Sequence, residues 1–475
     1  MRTVFEVLSE DERGQIHERT LHVLATTGMR VDTAQGRDIL RDAGAQVDDD
    51  SHVVRFPAKL VEESLAQAPR GFTLGARRPG WTHPMPAERP TLLPDGEGIV
   101  TVDHSTGEIR EPTHADWVEG VKLIDALDDI GVYWNVVSDP LRGDTLADHV
   151  SYMVDVQRGF SKHVNGAIED AAASPYQLEI LDVIFGGRDE VARRHPISRL
   201  LTPISPLVIE EKGTEACLAL GGWDIPVAIM PQPVAGTTAP GSVAGVVLQS
   251  NCDVVGCICL LEAAEPGRPI IYAPAPSTMN PRSGMLGSSG AEGIANAASI
   301  EMARYYGLPS LGSGGGSNHY VPGIQSGYEK AQGALPVLLA RPDVFCHPGS
   351  LGNTTVWSAE QAVIDCEVFR ICMRICEGIA VDDEHLLSQA LENVGPGGNF
   401  LAEKSTRRML HEGEFRIPGM GWHDSRGAWD SAGRPDILDE ARGRVDQLLA
   451  DHEVLPLGED VEAELQRIVA RARES

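Results

Sequence analysis

Aromatic residues are scarce in this 475-residue sequence, at 5%, and basic residues are outnumbered, with 40 Lys and Arg against 69 Asp and Glu. The resulting formal charge of −29 excludes a broad basic face. Nucleic acids and anionic membranes require such a face, so we expect neither as a partner. A cationic substrate is compatible with this charge, although a solvated acidic surface accounts for most of it.

The sequence also lacks the signals of secretion and membrane insertion. The N-terminus has no apolar signal region, and no uninterrupted apolar stretch reaches the roughly 18 residues of a membrane span. Its eight cysteines form no extracellular disulfide framework, which favours reduced thiols and a cytoplasmic location. The spacing of Cys252, Cys257 and Cys259 does not match zinc-binding pairs, so we expect no autonomous metal.

Glycine (50 residues) and proline (31) are abundant and stand between apolar runs, which is typical of many short loops joining buried elements. From Thr113 onward, helical segments alternate with short apolar runs at a spacing that predicts parallel strands with helical crossovers. The runs are Val132–Val137, His163–Ala167, Leu200–Ile204, Val227–Met230, Ile270–Ala273, Leu308–Gly312 and Val344–His347. Seven or eight such units favour an α/β fold of the (β/α)8 TIM-barrel type, although the eighth strand is not located by the pattern.

Three regions follow from this organisation. Residues 1–112 form an N-terminal accessory region of helices and a small β segment, because Pro and Gly interrupt short strand-like pieces there. Residues 113–390 form the barrel. Residues 391–475 form a C-terminal helical extension.

A glycine-rich run, residues 312–318, follows one predicted strand. In TIM barrels, residues directly after a strand point into the active site. The run lacks the Lys-Ser/Thr of a phosphate-binding loop, so it is interpreted either as a ligand-lining loop or as a flexible connector. Its candidate binding residues are Gly312, Gly314, Gly315, Gly316, Ser317 and Asn318.

Other polar and aromatic residues stand at or near predicted strand ends. His347 follows Val344–Cys346, and His163 occupies a comparable place with Asn165. Gln232 and Tyr272 are further candidates for the mouth of the barrel. Each of these residues has a structural alternative, because a single histidine or tyrosine often serves the core.

Several segments, taken together and in order, resemble the trimethylamine methyltransferase family, including its members without pyrrolysine. The segments are Leu8–Glu10, Thr27–Val31, Val102–Thr113, Leu123–Asp128, Arg304–Pro309, Gln325–Glu329, Val363–Glu367, Trp429–Gly433 and Asp439–Arg442. The resemblance implies a TIM barrel that moves a methyl group from an amine to the Co(I) corrinoid (cobalamin) of a separate corrinoid protein. It also implies a homo-oligomer.

In relatives that act on trimethylamine, pyrrolysine lies near the segment that matches residues 312–318. Here that segment contains ordinary residues. A quaternary ammonium leaves as a neutral tertiary amine and needs positioning more than activation, so the resemblance implies a quaternary amine substrate such as glycine betaine or a related betaine.

The strand-end position of His347 and the implied substrate assign roles to the candidate residues. His347 is the predicted catalytic residue, and the substrate cation needs aromatic faces, for which the candidates are Trp134, Tyr272, Tyr320, Phe345 and Trp357. A substrate carboxylate is held by the amides of 314–317, by His347, by Asn318 or by His319. Two alternatives remain open: a corrinoid-independent barrel enzyme and a non-catalytic betaine-binding protein.

Overall fold

Eight parallel strands form the centre of the protein. The computed structural model describes residues 5–94, 96–166 and 170–474. The eight strands, numbered in chain order, are β1 (Thr91–Leu93), β2 (Val132–Tyr133), β3 (His163–Gly166), β4 (Ile197–Leu201), β5 (Val227–Ile229), β6 (Ile270–Tyr272), β7 (Leu311–Gly312) and β8 (Val344–Cys346).

These strands close into a ring. β2 to β6 pair in sequence order, and β7, β8 and β1 form a second parallel set. Two parallel bridges join the sets, one between Tyr272 and Ser310 and the other between Leu92 and Ile130. The predicted TIM barrel is therefore confirmed.

Six of the seven apolar runs contain a strand of the ring, and the seventh, Leu200–Ile204, shares only Leu200 and Leu201 with β4. The predicted strand His163–Ala167 ends at a residue outside the described part of the chain. The eighth strand is Thr91–Leu93, which lies within the stretch assigned to the accessory region. The division of the chain at residues 112 and 390 stays a prediction. One strand of the ring, Thr91–Leu93, precedes the first of these boundaries.

A helical layer surrounds the ring. Its main helices are His114–Ala126, Leu146–Gly159, Ser174–Phe185, Arg188–Arg194, Glu211–Leu218, Val243–Ala264, Gly290–Tyr306, Ile324–Leu339 and Ala359–Glu377, with a short 3-10 turn at Ala171–Ala173. Val243–Ala264 is the one helix of the described ranges that is long and apolar enough to cross a membrane. Its position accounts for that composition, because 72% of its apolar window is buried in the core.

The amino ends of the barrel strands are closed by a hairpin, Phe72–Leu74 with His83–Met85. Leu74 and Met85 pack into the same lumen cluster as Leu93 and Val344. The opposite end, where the strands finish, is therefore the end at which a substrate can enter.

The remaining N-terminal elements cover one side of the barrel. They are the helices Glu10–Thr26, Ala34–Asp42 and Ala58–Gln67 and the strands Met29–Val31, Gln46–Asp48 and Val53–Arg55, which form a sheet with Val208–Ile209. The buried carboxylate of Glu301 accepts the backbone N–H groups of Val7 and Leu8, at 2.7 and 2.8 Å. This contact fixes the start of the chain to the helical layer.

Two small sheets form within the loops that connect the barrel elements, and the C-terminal part of the chain is helical. The first sheet has four strands, Val100–Val102, Ile109–Arg110, Ser350–Leu351 and Val356–Trp357. The second has three, Val234–Ala235, Ser277–Met279 and Leu286–Gly287. The last helices are Asp383–Leu386, Ser388–Val394, Lys404–His411, Arg426–Ser431, Ile437–Asp451 and Glu459–Glu474.

Histidine–carboxylate pairs attach the C-terminal region to the barrel. His104 bridges Glu360 Oε1, at 2.7 Å, and Asp446 Oδ1, at 2.9 Å. His452 contacts Asp125 Oδ2 at 2.9 Å. Burial lowers the pKa of His104, but its hydrogen bonds to Asp446 and Glu360 outweigh burial and raise the pKa above the ordinary value.

The raised pKa of His104 makes stability depend on pH. The stabilisation is fully present below the ordinary histidine pKa of about 6.5 and is lost as the pH rises through the folded-state value. We expect wild type to exceed His104→Gln in free energy of unfolding by about 0.5–1 kcal/mol more at pH 6 than at pH 8. Urea unfolding of both proteins at the two pH values measures this difference. Identical pH profiles for the two proteins would contradict this role.

Candidate active site

The carboxyl ends of β7 and β8 place two loops side by side at one rim of the barrel. β7 leads into the glycine run, residues 312–318, and β8 leads into His347. Ser313 Oγ and His347 Nε2 are 2.5 Å apart, and both side chains are buried. Because TIM-barrel active sites lie at this end of the strands, the pair marks the candidate active site.

A buried ion pair lies directly behind the two loops. Lys330 Nζ is 2.9 Å from Asp365 Oδ2 and also donates to the carbonyl oxygens of Gly315, at 2.8 Å, and His347, at 3.0 Å. Asp365 Oδ2 accepts the backbone N–H of Gly349 at 2.8 Å. One ion pair therefore holds the backbones of both loops.

The environment of this ion pair disfavours both charges. Burial lowers the pKa of Lys330 and raises the pKa of Asp365, and the attraction between the partners opposes both shifts. Gln361 Nε2 donates to the other carboxylate oxygen of Asp365 at 2.7 Å. Such a pair contributes little net stability, but removing one partner leaves a buried charge and costs roughly 3–5 kcal/mol. The pair therefore specifies the loop positions.

A second clamp holds the far end of the glycine run. Glu329, which precedes Lys330 on the helix Ile324–Leu339, accepts hydrogen bonds from Ser317 Oγ at 2.7 Å and from the Asn318 N–H at 2.9 Å. Adjacent residues of one helix thus bind two different points of the loop. The run is a fixed part of the rim, which agrees with a ligand-lining loop and disagrees with a flexible connector.

Gly314 and Gly316 of the run lie in different surroundings, so glycine is present at each for a different reason. A Cβ at Gly314 would lie 2.9 Å from the Gly333 carbonyl oxygen, and a Cβ at Gly333 would lie 2.0 Å from the Gly314 oxygen. Loop and helix therefore touch through their backbones. At Gly316, by contrast, a Cβ would meet no heavy atom within 4 Å. The loop borders open space at that residue.

His347 has a strained backbone, with φ at +90°, a value that non-glycine residues rarely adopt. Contacts on both sides hold it there: its N–H donates to the Leu93 carbonyl of β1 at 3.1 Å, and its carbonyl accepts from Lys330. Strain of this kind lowers stability and persists only when the surrounding contacts enforce it. The contacts of His347 therefore fix the position of its imidazole at a cost in folding free energy.

Two aromatic candidates lie outside the barrel lumen, contrary to the sequence expectation. Side chains alternate along a strand, so Val344 and Cys346 of β8 face the lumen cluster while Phe345 packs among the surrounding helices. Tyr272 is fully buried in the helical layer, where its hydroxyl donates to Asn251 Oδ1 at 2.8 Å. Neither ring is placed to contact a substrate at the rim.

Trp357 and His163 also have structural positions. Trp357 is buried, and a Cβ at Gly349 would lie 2.1 Å from its ring, so the indole packs behind the loop. His163 stands at the amino end of β3, the closed end of the barrel, within hydrogen-bond distance of the Gly75 carbonyl (3.0 Å) and Ser198 Oγ (2.9 Å). Burial lowers its pKa to about 3, which keeps the ring neutral.

The other candidates stay near the rim. Gln232 is exposed just after β5, and Trp134 packs against the lumen cluster directly after β2. His319 Nδ1 lies 2.7 Å from the Val321 carbonyl, and Tyr320 is half exposed on the loop. The structure therefore brings Ser313 of the glycine run and His347 into contact, places His319 and Tyr320 on the continuation of the same loop, and leaves Gln232 and Trp134 on other loops.

Three residues of the site were not found from the sequence, Glu329, Lys330 and Asp365, and Ser313 lay within the predicted run without being named as a candidate. A signal was present for Lys330 and Asp365, because each places a charge on a helix face whose other residues, such as Ala334 and Phe369, are buried and apolar. A charge in that position predicts a buried partner. The sequence does not say that the partners lie on two different helices next to the rim.

Within residues 5–94, 96–166 and 170–474, no group of three or more His, Cys, Asp or Glu residues could hold a metal ion. The eight cysteines are buried free thiols. Burial raises the pKa of Cys252 and Cys259 to about 12, so these thiols stay protonated and are poor metal ligands. The absence of an autonomous metal stays a prediction of the sequence.

Comparisons with known proteins agree with this architecture. The family described as trimethylamine methyltransferase (MTTB) matches residues 1–475. Trimethylamine methyltransferase MttB of Methanosarcina barkeri is 28% identical over 481 residues, covering 98% of this chain and 95% of its own. Glycine betaine methyltransferase of Desulfitobacterium hafniense is 26% identical over 469 residues, covering 98% and 97%. The crystal structure of the M. barkeri monomethylamine methyltransferase (MtmB) has the same fold, with a TM-score of 0.52 at 11% identity, covering 99% of this chain and 88% of that one.

Gly314 and Gly316 are predicted to respond differently to one added methyl group. We expect Gly314→Ala to lower the free energy of unfolding by about 1–3 kcal/mol, because its Cβ would overlap the Gly333 carbonyl. The matched variant Gly316→Ala should change it by less than about 0.5 kcal/mol, because open space surrounds that position. Urea unfolding measures both values, and equal destabilisation would refute the assigned loop geometry.

Proposed function

This chain belongs to the trimethylamine methyltransferase family, and from this premise we propose a specific reaction for it. The enzyme moves a methyl group from a quaternary amine, glycine betaine or a related betaine, to the Co(I) corrinoid of a separate partner protein. The observation that carries the proposal is the rim loop of ordinary residues, in which Gly316 borders open space. The similarity to a glycine betaine methyltransferase over nearly the whole chain supports the same substrate class.

The chemistry of the leaving group favours a quaternary donor. When the C–N bond of a quaternary ammonium breaks, nitrogen keeps the bonding electron pair and leaves as a neutral tertiary amine. The methyl group passes to the acceptor, whose Co(I) supplies the electron pair of the new bond. A tertiary amine would instead have to leave as an amide anion unless it were first protonated. Such a transfer needs in-line positioning and exclusion of water more than acid catalysis.

The described residues provide positioning of that kind. Ser313 orients the ring of His347, and Lys330 and Glu329 fix the loop whose backbone N–H groups stand at the rim. These N–H groups and the imidazole are the proposed partners of a substrate carboxylate. Trp134, which packs against the lumen cluster, is the aromatic candidate best placed to face the substrate cation.

The acceptor completes the proposal. A corrinoid protein must reach the same rim, because the methyl group passes directly between the two substrates. A cytoplasmic location, a homo-oligomer and the absence of nucleic-acid and membrane partners remain part of the proposal on the evidence of composition and family. The acidic overall charge suits a cationic donor.

The test is a donor series in which charge and carboxylate vary separately. We propose to incubate the enzyme with free cob(I)alamin and glycine betaine, choline, tetramethylammonium or trimethylamine, and to follow methylation of the cobalamin by its absorbance. We expect glycine betaine to exceed trimethylamine by roughly 100-fold or more in kcat/KM, because only the quaternary donor leaves as a neutral amine without a proton being held on its nitrogen. No methylation with any quaternary amine by a folded enzyme would refute the reaction.

Two substitutions of Gly316, one large and one small, test whether the reaction takes place at this rim. Gly316→Leu fills the open space beside the loop, and we expect it to abolish turnover of glycine betaine with little change in melting temperature. Gly316→Ala should retain most activity. Full activity of Gly316→Leu would place the substrate elsewhere.

A further inference from the structure

A chain of buried polar groups runs along one side of the barrel lumen, from the closed end towards the rim. It consists of the Gly75 carbonyl and the side chains of His163, Ser198 and Asn165. Val164, between His163 and Asn165 on β3, packs with the surrounding helices. Because side chains alternate along a strand, His163 and Asn165 both face the lumen. All three side chains of this chain are buried.

The contacts of His163 determine which of its ring nitrogens carries the proton. Nδ1 lies 3.0 Å from the Gly75 carbonyl oxygen, which can only accept, so Nδ1 must donate. The ring is fully buried, and burial outweighs this hydrogen bond and lowers its pKa to about 3, so the imidazole is neutral. A neutral imidazole with its proton on Nδ1 has no proton on Nε2. Nε2 is therefore an acceptor.

Ser198 transmits this polarity to Asn165. Its Oγ lies 2.9 Å from His163 Nε2 and, on its other side, 3.0 Å from Asn165 Oδ1. A hydroxyl has one proton, and this proton is needed at Nε2, which would otherwise face a second acceptor. With the proton committed there, Oγ and Oδ1 would themselves be two acceptors in contact. A half-turn of the Asn165 amide removes this conflict, because Nδ2 then donates to Oγ.

The half-turn makes the amide oxygen the free end of the chain. The amide atom of Asn165 that does not face Ser198 is buried and has no hydrogen-bond partner among the described residues. Leaving a buried acceptor unpaired is unfavourable, so each such group in a folded protein calls for an explanation, such as a ligand that interacts with it. The oxygen of Asn165 is therefore a candidate contact for a ligand in the lumen.

The position of Asn165 relates this oxygen to the substrate entrance. Asn165 is the last residue but one of β3, and β2 and β3 pair in parallel with Val164 opposite Tyr133. The next residues of the two strands, Asn165 and Trp134, are therefore neighbours on the lumen side. An indole face and a carbonyl oxygen both present partial negative charge. Such surroundings attract the polarised methyl groups of an ammonium head.

We propose that the side-chain oxygen of Asn165, oriented by Ser198 and His163, contacts the cationic head of the methyl donor and selects it over a neutral molecule of the same shape. This role rests on the proposed function, because it requires a quaternary ammonium donor. An amide NH2 group in the same place would repel the cation. Asn165 is thus a binding residue, and Ser198 and His163 are positioning residues that act through it.

Two ligands of the same shape test this role. Glycine betaine and 3,3-dimethylbutyrate have the same outline, but the second has carbon in place of the charged nitrogen. By isothermal titration calorimetry, we expect Asn165→Leu to weaken the binding of glycine betaine by roughly ten-fold, because its contact with the amide oxygen is lost. Binding of 3,3-dimethylbutyrate should be unchanged or tighter. The matched control Asn393→Leu, on the exposed surface of the helix Ser388–Val394, should keep both affinities.

The outcomes separate this role from the proposed function. If wild type does not bind glycine betaine, the proposed donor class and the role of Asn165 both fail. If wild type binds it, and folded Asn165→Leu either binds it equally well or loses the same factor for both ligands, the role of Asn165 alone is overturned.

A second measurement depends neither on a ligand nor on the folding of Asn165→Leu. The ¹⁵N chemical shifts of histidine rings show which nitrogen carries a proton. We expect His163 of the wild-type protein, identified by the signals absent from His163→Gln, to stay neutral from pH 8 to pH 6 with its proton on Nδ1. A proton on Nε2 would make Ser198 donate to the amide oxygen, which would then face away from the lumen, and would overturn the proposal.

Discussion

The ion pair between Lys330 and Asp365 is the interaction on which the candidate site depends. It joins helices on either side of β8, and its polar atoms bind the backbone at Gly315, His347 and Gly349. Two loops that carry no regular structure thereby acquire fixed positions. For a reaction that needs in-line placement of a donor and an acceptor, this rigidity is the main contribution the protein can make.

The barrel was predictable from the regular alternation of apolar runs and helical segments along the sequence, because strands buried on both faces form short continuous apolar segments. The strand Thr91–Leu93 was missed because it lies in a stretch rich in Pro and Gly, far from the helix that follows it. Its partner in the ring, Val344–Cys346, is about half the chain away. Local pattern does not encode pairings of that range.

The position of the site was predictable, but the direction of its side chains was not. The glycine run and His347 meet at the rim because both follow strands. A fully apolar strand has no alternation to show which residues face the lumen, so Tyr272 and Phe345 were placed in the site although they face the helices. His163 was placed in the site by analogy with His347, as a residue at a strand end, but it begins β3 and so lies at the amino, closed end of the barrel.

The most direct test of the central claim is a double-mutant cycle on the ion pair, read out by single-turnover methyl transfer from glycine betaine. The variants are Lys330→Met, Asp365→Leu and the two combined. The account predicts that each single change lowers the rate strongly, that the double variant recovers part of it, and that the coupling free energy is roughly 1–3 kcal/mol. Strictly additive effects, or full activity of a folded single variant, would contradict the claim that this pair sets the geometry of the site.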